Sequence, residues 1–528
     1  MTVGPAAEPR VEGKESESAG AADPYSARRV GSGLLYLVGG KAATSIAGIG
    51  TFLILVRGLS VAEFAAYSIL FALVEIVDAL TGVGTGEVLT RYVPELYVQR
   101  RTRAMRRLIA IGLGLRIVVM TLFLTAVWLL APTIAPLIGL SDWEWALRLY
   151  LGVVFFRVAA TTLFTILESM LQQAIAQVGF SSITALRFAL LALASWQFGI
   201  DLETVLVIEL LTDMLALAAM LGGLFRVLWR TIPQTTENGF QWLNDNLGRM
   251  FSFGMKGYLQ YLLIMPFGGG TNRLLVGGAL QGPEIALFGF AQSIAELMQR
   301  YLPVKLLAGV IRPVLTASFV RDREFSRIEV AGNVFFKVNA ILVCLAAVVI
   351  AGGGGKMLRF ISGGKYGEGA VTLLLLMCAL VLLYSLRHML DHVCHAVERN
   401  GPLVWSNALI TLSVLPGIGM LPVLGVYALP AANSLGLLAG CALLLSRLRA
   451  EGFRYRQERR GLAAILAATA VGALTGIALG KVTDSWPLCA LLAAIAFIAA
   501  LLLLRPFRPD ERDFAVGIVD KIRKKRAD

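Results

Sequence analysis

All three histidines of this 528-residue chain, His388, His392 and His395, lie in one stretch, YSLRHMLDHVCHAVERNG. Spacings of four and three place the rings on one face of a helix, with Asp391 beside them. Such a face could bind a metal ion, form a proton-sensitive mouth of a cavity, or be a polar helix end at the membrane interface. Three ligands from one helix converge poorly on one metal. We therefore favour the interfacial polar face and assign no metal or other cofactor.

The composition indicates the class of protein that must position these residues. Hydrophobic residues make up 57% of the chain and charged residues only 16%. Continuous apolar runs, long enough to cross a bilayer core of about 30 Å as helices, recur along almost the whole length. Membrane β-barrels instead show short alternating segments. The sequence therefore predicts an all-α polytopic membrane protein with about 14 transmembrane helices. Spans 1 to 14 are expected near 33–55, 63–93, 107–131, 145–172, 175–199, 202–228, 250–277, 283–309, 327–351, 369–397, 402–424, 427–447, 461–480 and 486–505.

Arginine placement predicts the orientation of these spans. Clusters of arginine follow spans 2, 6, 8 and 12, and cytosolic loops retain such residues. Both termini are therefore expected in the cytosol, residues 1–32 as a disordered tail and 506–528 as a basic tail. Lys356, Arg359 and Lys365 are exceptions that this topology places outside. The net charge of +13 then follows from topology, and no nucleic-acid motif is present.

The cysteines carry no signal of a disulfide framework. Each of the five lies inside a predicted span, without paired spacing. Cysteine in such places acts as a small buried apolar residue.

An internal repeat organises the chain. Shifted by 221 positions, LSVAEFAAYSILFALVEIV from Leu59 lies over LQGPEIALFGFAQSIAELM from Leu280, and Glu75 meets Glu296. Six spans separate the copies, so both have the same orientation, as in the parallel repeats of alternating-access transporters. The predicted units are an N-terminal lobe at 33–230, a cytosolic linker at 231–249, a C-terminal lobe at 250–450, and helices 13 and 14 at 451–505.

Glycines at matching places suggest that each half opens with a weakened helix. AGIGTF at 47–52 overlies GGGTNR at 268–273. Such breaks lie beside the substrate path in transporters. The alternative is close helix packing through small residues.

Ionisable residues inside spans mark the candidate site, because a charge facing lipid is costly. Cations predominate, and a cavity lined by guanidinium groups suits an anion with several oxygens, such as a diphosphate. The substrate-binding candidates are Arg157, Arg187, Lys41, Arg116, Lys256, Arg273, Arg300 and Lys337. For Arg116 and Lys256, snorkelling to the cytosolic interface is an equal alternative.

Carboxylates in the same spans are candidates for coupling transport to an ion. These positions are Glu75, Asp78, Glu296, Glu168 and Asp391. Equally, Glu75 and Asp78 could neutralise one of the arginines. Glu209 and Asp213 are further acidic positions in span 6 without an assigned role.

Two segments carry a resemblance to a known family. RGLSVAEFAAYSILFALVEIVDALTGVGTGEVLTRYVPEL, from Arg57, resembles the second-helix signature of the polysaccharide transporter or O-antigen flippase family. NRLLVGGALQGPEIALFGFAQSI, from Asn272, is similar to the start of that family's second half. The family belongs to the multidrug/oligosaccharidyl-lipid/polysaccharide exporter superfamily.

This resemblance implies two six-helix lobes forming a V around a central cavity, with two extra C-terminal helices. The implied function is alternating-access translocation of an undecaprenyl-diphosphate-linked oligosaccharide across the bacterial inner membrane, for O-antigen, capsule or exopolysaccharide synthesis. No bond is made or broken, so the chain is not expected to be an enzyme. Expected partners are the lipid-linked substrate, membrane lipids, H⁺ or Na⁺, and polysaccharide assembly proteins.

Three alternatives remain. An ion-coupled multidrug antiporter of the same superfamily would have twelve spans and fewer buried cations. A lipid II flippase has fourteen spans, but its signatures around the first loop are not evident. A polytopic polysaccharide polymerase would need large catalytic loops, whereas the longest outer loops here, 132–145 and 352–368, are short.

Overall fold

A computed structural model describes residues 27–170, 172–231, 239–303, 325–397 and 401–514. These residues are almost entirely helical and include no strand. The helices, numbered in chain order, are α1 (Ala27–Gly58), α2 (Val61–Thr81), α3 (Thr85–Val98), α4 (Thr102–Leu129), α5 (Ala131–Leu137), α6 (Glu144–Ser169), α7 (Gln173–Gln197), α8 (Leu202–Arg226), α9 (Gly239–Ile264), α10 (Gly269–Ala279), α11 (Gly282–Tyr301), α12 (Phe325–Ser362), α13 (Glu368–Ala396), α14 (Gly401–Leu412), α15 (Val414–Leu424), α16 (Ala428–Ala450), α17 (Arg459–Gly480) and α18 (Trp486–Leu504).

Ten helical stretches of the described chain are long and apolar enough to cross a membrane. They coincide with predicted spans 2 to 6 and 9 to 14, because the 50-residue stretch Gly401–Ala450 contains two of the predicted spans. Span 1 contributes the shorter apolar helix Ala43–Gly58. Span 8 continues into residues outside the described ranges, and span 7 is interrupted. The predicted class, an all-helical polytopic membrane protein, is confirmed.

The packing of helices follows the internal repeat. Helices α6, α7 and α8 pack on one another, and α1 packs along α7. In the second half α13 packs on α12, α11 and α16, while α17 and α18 pack on α12. The two halves meet where α2 packs on α10 and α11. Helices α2 and α11 are the copies related by the 221-residue shift, so equivalent elements of the repeat contact each other at the centre.

The helix breaks differ from the prediction. Span 7 is broken as expected: a 3-10 turn at Met265–Phe267 follows α9, and Gly268 is extended before α10. Span 1 is not broken, because α1 is continuous through 47–52. Gly50 instead lets α1 approach α7, since a Cβ there would lie 2.4 Å from the Phe188 ring. The prediction of a matching break in the first half is therefore wrong, and close packing explains this glycine.

Span 2 is also interrupted, which the sequence analysis did not predict. It consists of α2 and α3, separated at residues 82–84, where Gly84 has a φ of 72°. A Cβ on Gly84 would lie 2.6 Å from the carbonyl of Gly254 in α9. Glycine is needed here both for the left-handed backbone and for the contact between the halves.

Segment boundaries shift relative to the prediction as well. Helix α1 begins at Ala27, inside the predicted tail 1–32, and residues 1–26 lie outside the described part of the chain. Helix α9 begins at Gly239, so the second half of the predicted linker 231–249 is helical. In the predicted tail 506–528, residues 509–514 form a short helical segment. All five cysteines are free and buried, as predicted.

The two halves also meet at the predicted outer end through reciprocal contacts with helix ends. Lys365 donates hydrogen bonds to the carbonyls of Val56, Arg57 and Leu59, at the C-terminus of α1. Arg57 donates to Phe360 O at 2.7 Å and Ile361 O at 3.2 Å, near the C-terminus of α12. Cations are favourable partners for the free carbonyls of a helix C-terminus. We call this pair of contacts the outer clasp. The outer clasp gives a structural role to Lys365, which is one of the basic residues that the predicted topology places outside.

A second contact at this end follows from the repeat. The loop between spans 3 and 4 lies against the end of α10, where the backbones of Gly139 and Gly277 pack together, and a Cβ on Gly277 would lie 2.6 Å from Ile138 O. We call this the Gly139–Gly277 contact. The equivalent loop between spans 9 and 10 carries Lys365. The two related loops therefore join the halves by different chemistry, one through charge and one through close backbone packing.

A buried lysine fastens the C-terminal segment to the second half. Lys337 of α12 is 0% exposed. Its ammonium donates to both carboxylate oxygens of Glu511, at 2.9 and 2.7 Å, and to Pro506 O at 2.9 Å. It also lies 2.7 Å from Glu458 Oε2. Burial alone would raise the pKa of Glu458, but hydrogen bonds from Lys337 and the Gly461 N–H outweigh it and hold the pKa below its usual value.

Replacement of Lys337 by methionine should destabilise the protein by roughly 3–5 kcal/mol, because it leaves the buried carboxylate of Glu511 and the largely buried one of Glu458 without a counter-charge. Thermal unfolding of the purified protein in detergent measures the loss. Lys356→Met is the matched control, since Lys356 pairs with Asp484, whose side chain is 100% exposed. Equal shifts for the two variants would contradict the role of Lys337 as a fastening.

Candidate functional site

A cavity of about 300 Å³ lies where the two halves meet. Its walls come from α1, α2, α6, α7 and α8 of the first half and from α10 and α11 of the second. Apolar side chains such as Phe52, Phe71 and Leu297 line part of it. Polar side chains complete the lining, and seven of them are charged: Arg157, Arg187, Arg273, Arg300, Glu209, Asp213 and Glu296.

The centre of the first-half wall is an aspartate held between two arginines. Asp213 Oδ2 accepts hydrogen bonds from Arg157 Nε at 2.9 Å and Nη2 at 2.7 Å. Asp213 Oδ1 accepts from Arg187 Nη2 at 2.5 Å. The three residues lie on α8, α6 and α7, so the carboxylate joins three helices. Their side chains are only 5%, 12% and 17% exposed, which makes this a largely desolvated network.

Neighbouring polar groups complete this network. Glu209, one turn before Asp213 on α8, lies 3.0 Å from Arg157 Nη2 and accepts a hydrogen bond from the Tyr67 hydroxyl at 2.9 Å. Arg157 also donates to the Tyr150 hydroxyl at 3.3 Å. Arg187 Nε donates to the Thr212 hydroxyl at 2.9 Å. Each guanidinium is therefore held in a fixed orientation toward the cavity.

The opposite wall carries a second cluster, at the break in span 7. Arg273 Nη2 lies 3.0 Å from Glu296 Oε2, and its guanidinium stacks over the Phe71 ring at 5.3 Å. Glu75 accepts a hydrogen bond from the Gly270 N–H at 2.7 Å. A Cβ on Gly269 would lie 2.6 Å from Glu296 Oε1. The two repeat-related carboxylates, Glu75 and Glu296, thus both reach this glycine break.

The predicted cationic residues divide between the cavity and other places. Arg157, Arg187, Arg273 and Arg300 line the cavity. Arg300 is exposed, and no ion pair of it is found within the described ranges.

The other four predicted cations do not form part of the cavity wall that the structure describes. Arg116 is buried and pairs with Asp78. Lys256 lies exposed on α9, and Lys337 fastens the C-terminal segment because its partners lie there. Lys41 is in α1, but its side chain lies outside the described part of the structure.

The predicted carboxylates are similarly dispersed. Glu296 lines the cavity and Glu75 lies beside it at the glycine break. Asp78 neutralises Arg116. Glu168 accepts a hydrogen bond from Gln177 at 3.0 Å, and Asp391 pairs with Arg387. Of the two positions for which neutralisation of an arginine was the alternative, Asp78 pairs with Arg116 and Glu75 instead accepts the Gly270 N–H.

The three histidines lie together on α13 but form no metal site. His388 is 37% exposed, stacks on Tyr384 and has Nδ1 3.9 Å from Asp391 Oδ2. His392 and His395 are partly buried. Among the residues that the structure describes, no group of three metal-binding side chains is close enough to hold an ion. The helix face is polar and half-buried, and its place at the membrane interface stays a prediction.

Sequence reasoning assigned no role to Glu209 and Asp213, the residues on which the arginines depend. The spacing of these two residues could have indicated their role, because residues four apart share one face of the helix in span 6. Arg157 and Arg187 lie near the midpoints of spans 4 and 5, which precede it directly. Buried arginines require counter-charges, and this face was the nearest source of them.

Comparisons with known proteins agree with the architecture. No protein-family model and no curated protein sequence matches the chain. Among solved structures, the chain is similar to the lipid II flippase MurJ in an inward closed conformation, with a TM-score of 0.64 and 12% identity over 89% of this chain and 98% of that one. It is also similar to an inward-facing multidrug resistance MATE family transporter of the MOP superfamily, with a TM-score of 0.61 and 14% identity over 78% and 95%.

A third similarity supports the same architecture. A MATE protein in the straight conformation matches with a TM-score of 0.53 and 15% identity over 82% of this chain and 98% of that one. Identities this low show a shared fold alone. The chain therefore has the fold of these membrane transporters.

The ion network yields a direct test. Arg157→Gln should lower the free energy of unfolding by roughly 3–5 kcal/mol, because it leaves Glu209 buried without an arginine and leaves Asp213 with only one of its two. Adding Glu209→Gln to that variant should recover at least half of the loss, since the carboxylate left without an arginine is then removed while Asp213 keeps its pair with Arg187. Thermal unfolding of the single and double variants in detergent measures both effects.

Arg148→Gln provides the control for this test. Arg148 pairs with Glu144 on the same helix, and the two side chains are 38% and 36% exposed. Such a surface pair contributes about 0.3–0.5 kcal/mol. A double variant no more stable than Arg157→Gln would contradict the pairing described here.

Proposed function

We propose that this protein is a flippase that moves an undecaprenyl-diphosphate-linked oligosaccharide across the bacterial inner membrane by alternating access. The convergence of four arginines from both halves on one intramembrane cavity carries this proposal. Guanidinium groups bind phosphate oxygens through paired hydrogen bonds and stay charged when desolvated. A diphosphate is the most highly charged part of such a substrate, and its passage through the membrane interior requires counter-charge of this kind.

The arrangement of charge in the cavity supports an anionic substrate. The lining holds four arginines against three carboxylates, an excess of one positive charge when all are ionised. Arg300 is exposed on the second-half wall, where it can make the first contact with an entering anion. The polyprenyl tail would remain in lipid while the headgroup enters between the halves.

The fold supports the mode of movement. The proposal places the two lobes in a V that opens alternately to either side, with both termini in the cytosol. The outer clasp and the Gly139–Gly277 contact would hold the outer end closed and separate when the cavity opens outward. Glu75 and Glu296, at the break in span 7, are the carboxylates best placed to couple this movement to H⁺ or Na⁺. Polysaccharide assembly proteins would receive the released substrate.

Ion-coupled multidrug transport is the second candidate, since the similarity to a multidrug resistance MATE family transporter with a TM-score of 0.61 favours it, and a cationic drug is the case that the cavity can test. Such a substrate needs carboxylates to balance its charge. All three carboxylates that line the cavity are already paired with arginine, Glu209 and Asp213 with Arg157 and Glu296 with Arg273. The electrostatics therefore favour an anion. A lipid II flippase would handle the same diphosphate with a different headgroup.

Proteoliposomes that contain the purified protein should transfer a fluorescent polyprenyl-diphosphate oligosaccharide between leaflets. Arg187→Gln should lower the rate at least tenfold, because the cavity then loses one of the two guanidinium groups of its first-half wall. The transfer is measured as the rate at which the fluorophore becomes accessible to an enzyme or a quencher that is added outside the vesicles. Lipid II and a cationic dye serve as alternative substrates.

Arg148→Gln, which lies outside the cavity, should transfer the oligosaccharide at the wild-type rate. Both variants must first elute as folded protein in size-exclusion chromatography. Transfer of the dye alone by the wild type would favour the antiporter, and transfer of lipid II alone would change the headgroup. Equal rates for Arg187→Gln and the wild type would contradict a role of the cavity in transfer.

Alternating access can be tested by locking the outer end. A Cβ on residue 363 would lie 3.7 Å from Arg57 Cβ, a separation that a disulfide bridges. The double variant Arg57→Cys/Gly363→Cys would join the halves at the outer clasp. Under oxidising conditions we expect its transfer rate to fall at least tenfold, with recovery on addition of a reductant.

The single variant Arg57→Cys is the control, because it loses the same arginine without forming the bridge. All five native cysteines are buried and free, which limits competing disulfides. Undiminished transfer by a fully bridged double variant would show that the outer end does not open during the cycle.

A further inference from the structure

The Asp213 carboxylate occupies the place in which two arginines would bind an oxyanion. One oxygen accepts from two nitrogens of Arg157 and the other accepts from Arg187, with all three distances between 2.5 and 2.9 Å. A phosphate group presents the same kind of oxygen to guanidinium donors. A substrate phosphate that binds Arg157 and Arg187 must therefore compete with Asp213 for the same N–H groups.

Displacement of an ionised Asp213 would be unfavourable. The carboxylate is 5% exposed, and apart from the two arginines it faces Glu209 one turn away on its own helix. A buried charge that loses its partners destabilises the state in which it is left, unless it takes up a proton. A protonated carboxyl group has no charge to compensate and gains a donor that can bond to a phosphate oxygen.

We propose that Asp213 is an internal, proton-linked stand-in for the substrate phosphate: the diphosphate displaces its carboxylate from Arg157 and Arg187, and Asp213 takes up one proton as it does so. This inference rests on the proposed function, because it assumes a diphosphate ligand. When the ligand leaves, Asp213 loses the proton and pairs again with both arginines. The empty protein then changes conformation without an unpaired cation in its first-half wall.

The surrounding charges fit this exchange. Asp213 shares its site with Arg157 and Tyr150 on α6, Arg187 on α7, Glu209 on α8 and Tyr67 on α2. Arg273, Arg300 and Glu296 face it across the cavity. With Asp213 neutral, the charged residues lining the cavity hold an excess of two positive charges instead of one. The diphosphate of the proposed substrate, which is esterified at both ends and carries two negative charges, is thereby better neutralised.

The roles of the neighbouring groups also single out Asp213. Glu209 accepts a hydrogen bond from Tyr67 in addition to its contact with Arg157, so it keeps a partner if Arg157 turns to a ligand. Asp213 makes its ion pairs only with the two arginines that the ligand would take, as far as the described residues show. The proton is therefore assigned to Asp213.

Calorimetric binding of geranyl diphosphate to the detergent-purified protein tests the exchange. Titrations at about pH 8, roughly two units above the second ionisation of a phosphate, are run in two buffers of different ionisation enthalpy. The difference in heat gives the number of protons taken up. We expect about one proton per bound diphosphate for the wild type, and an affinity that falls about tenfold for each unit rise in pH.

Asp213→Asn should bind the diphosphate with almost no proton uptake and with an affinity that changes less than twofold per pH unit. Asp213→Glu, which retains a titratable carboxyl group, should take up a proton as the wild type does, and it provides a second test if the asparagine variant does not fold. Binding by the wild type without proton uptake, or equal uptake by Asp213→Asn, would overturn the exchange and leave the proposed function standing. Absence of diphosphate binding by the wild type would overturn both.

Discussion

The pairing of buried arginines with carboxylates is the interaction on which the centre of this molecule depends. An arginine near the middle of a membrane helix cannot reach water easily, and an unpaired charge there would be costly. Arg157 and Arg187 meet this constraint through Asp213 and Glu209, which lie on the helix that packs against both of theirs. The ion pairs that compensate the buried charge of the arginines also hold α6, α7 and α8 around the cavity. Structure and site are therefore produced by one set of contacts.

The internal repeat places equivalent elements at the centre but uses them differently. Helices α2 and α11 face each other, and their related glutamates, Glu75 and Glu296, both reach the glycine break of span 7. The corresponding place in the first half has no break, because Gly50 is used to pack α1 against Phe188. One copy of the repeat therefore offers free backbone N–H groups to carboxylates, and the other keeps a continuous helix. The cavity is asymmetric as a result, because among the described residues an aspartate paired with two arginines is found on the first-half wall only.

Much of the fold could be predicted from sequence because long apolar helices are determined locally. Composition and run length located the spans, and the repeat related α2 to α11. The helix breaks could be predicted less well. A glycine in a helix can allow either a kink or a close contact with another helix, and only the position of the neighbouring helix shows which of the two occurs. For the site, the free-energy cost of a charge that faces lipid predicted that Arg157 and Arg187 lie in the interior of the protein, and both line the cavity. It could not identify their partners or exclude Lys337, whose counter-ion Glu511 lies 174 positions further along the chain.

The contacts that join the halves at the predicted outer end differ in how they would open in the proposed cycle. The Gly139–Gly277 contact is backbone against backbone, so its separation exposes little polar surface that was bonded across it. The outer clasp instead consists of cations bonded to carbonyls, and both Arg57 and Lys365 are already near solvent at a helix end. Burial lowers the pKa of Lys365, an effect that the nearby charge of Glu63 opposes. Water can replace those hydrogen bonds as the halves part, whereas it cannot readily replace the buried contacts of Asp213. In the proposed cycle the energetic cost of the conformational change would therefore be small at the outer end and concentrated at the arginine pairs in the cavity, where the proposed ligand would offset it.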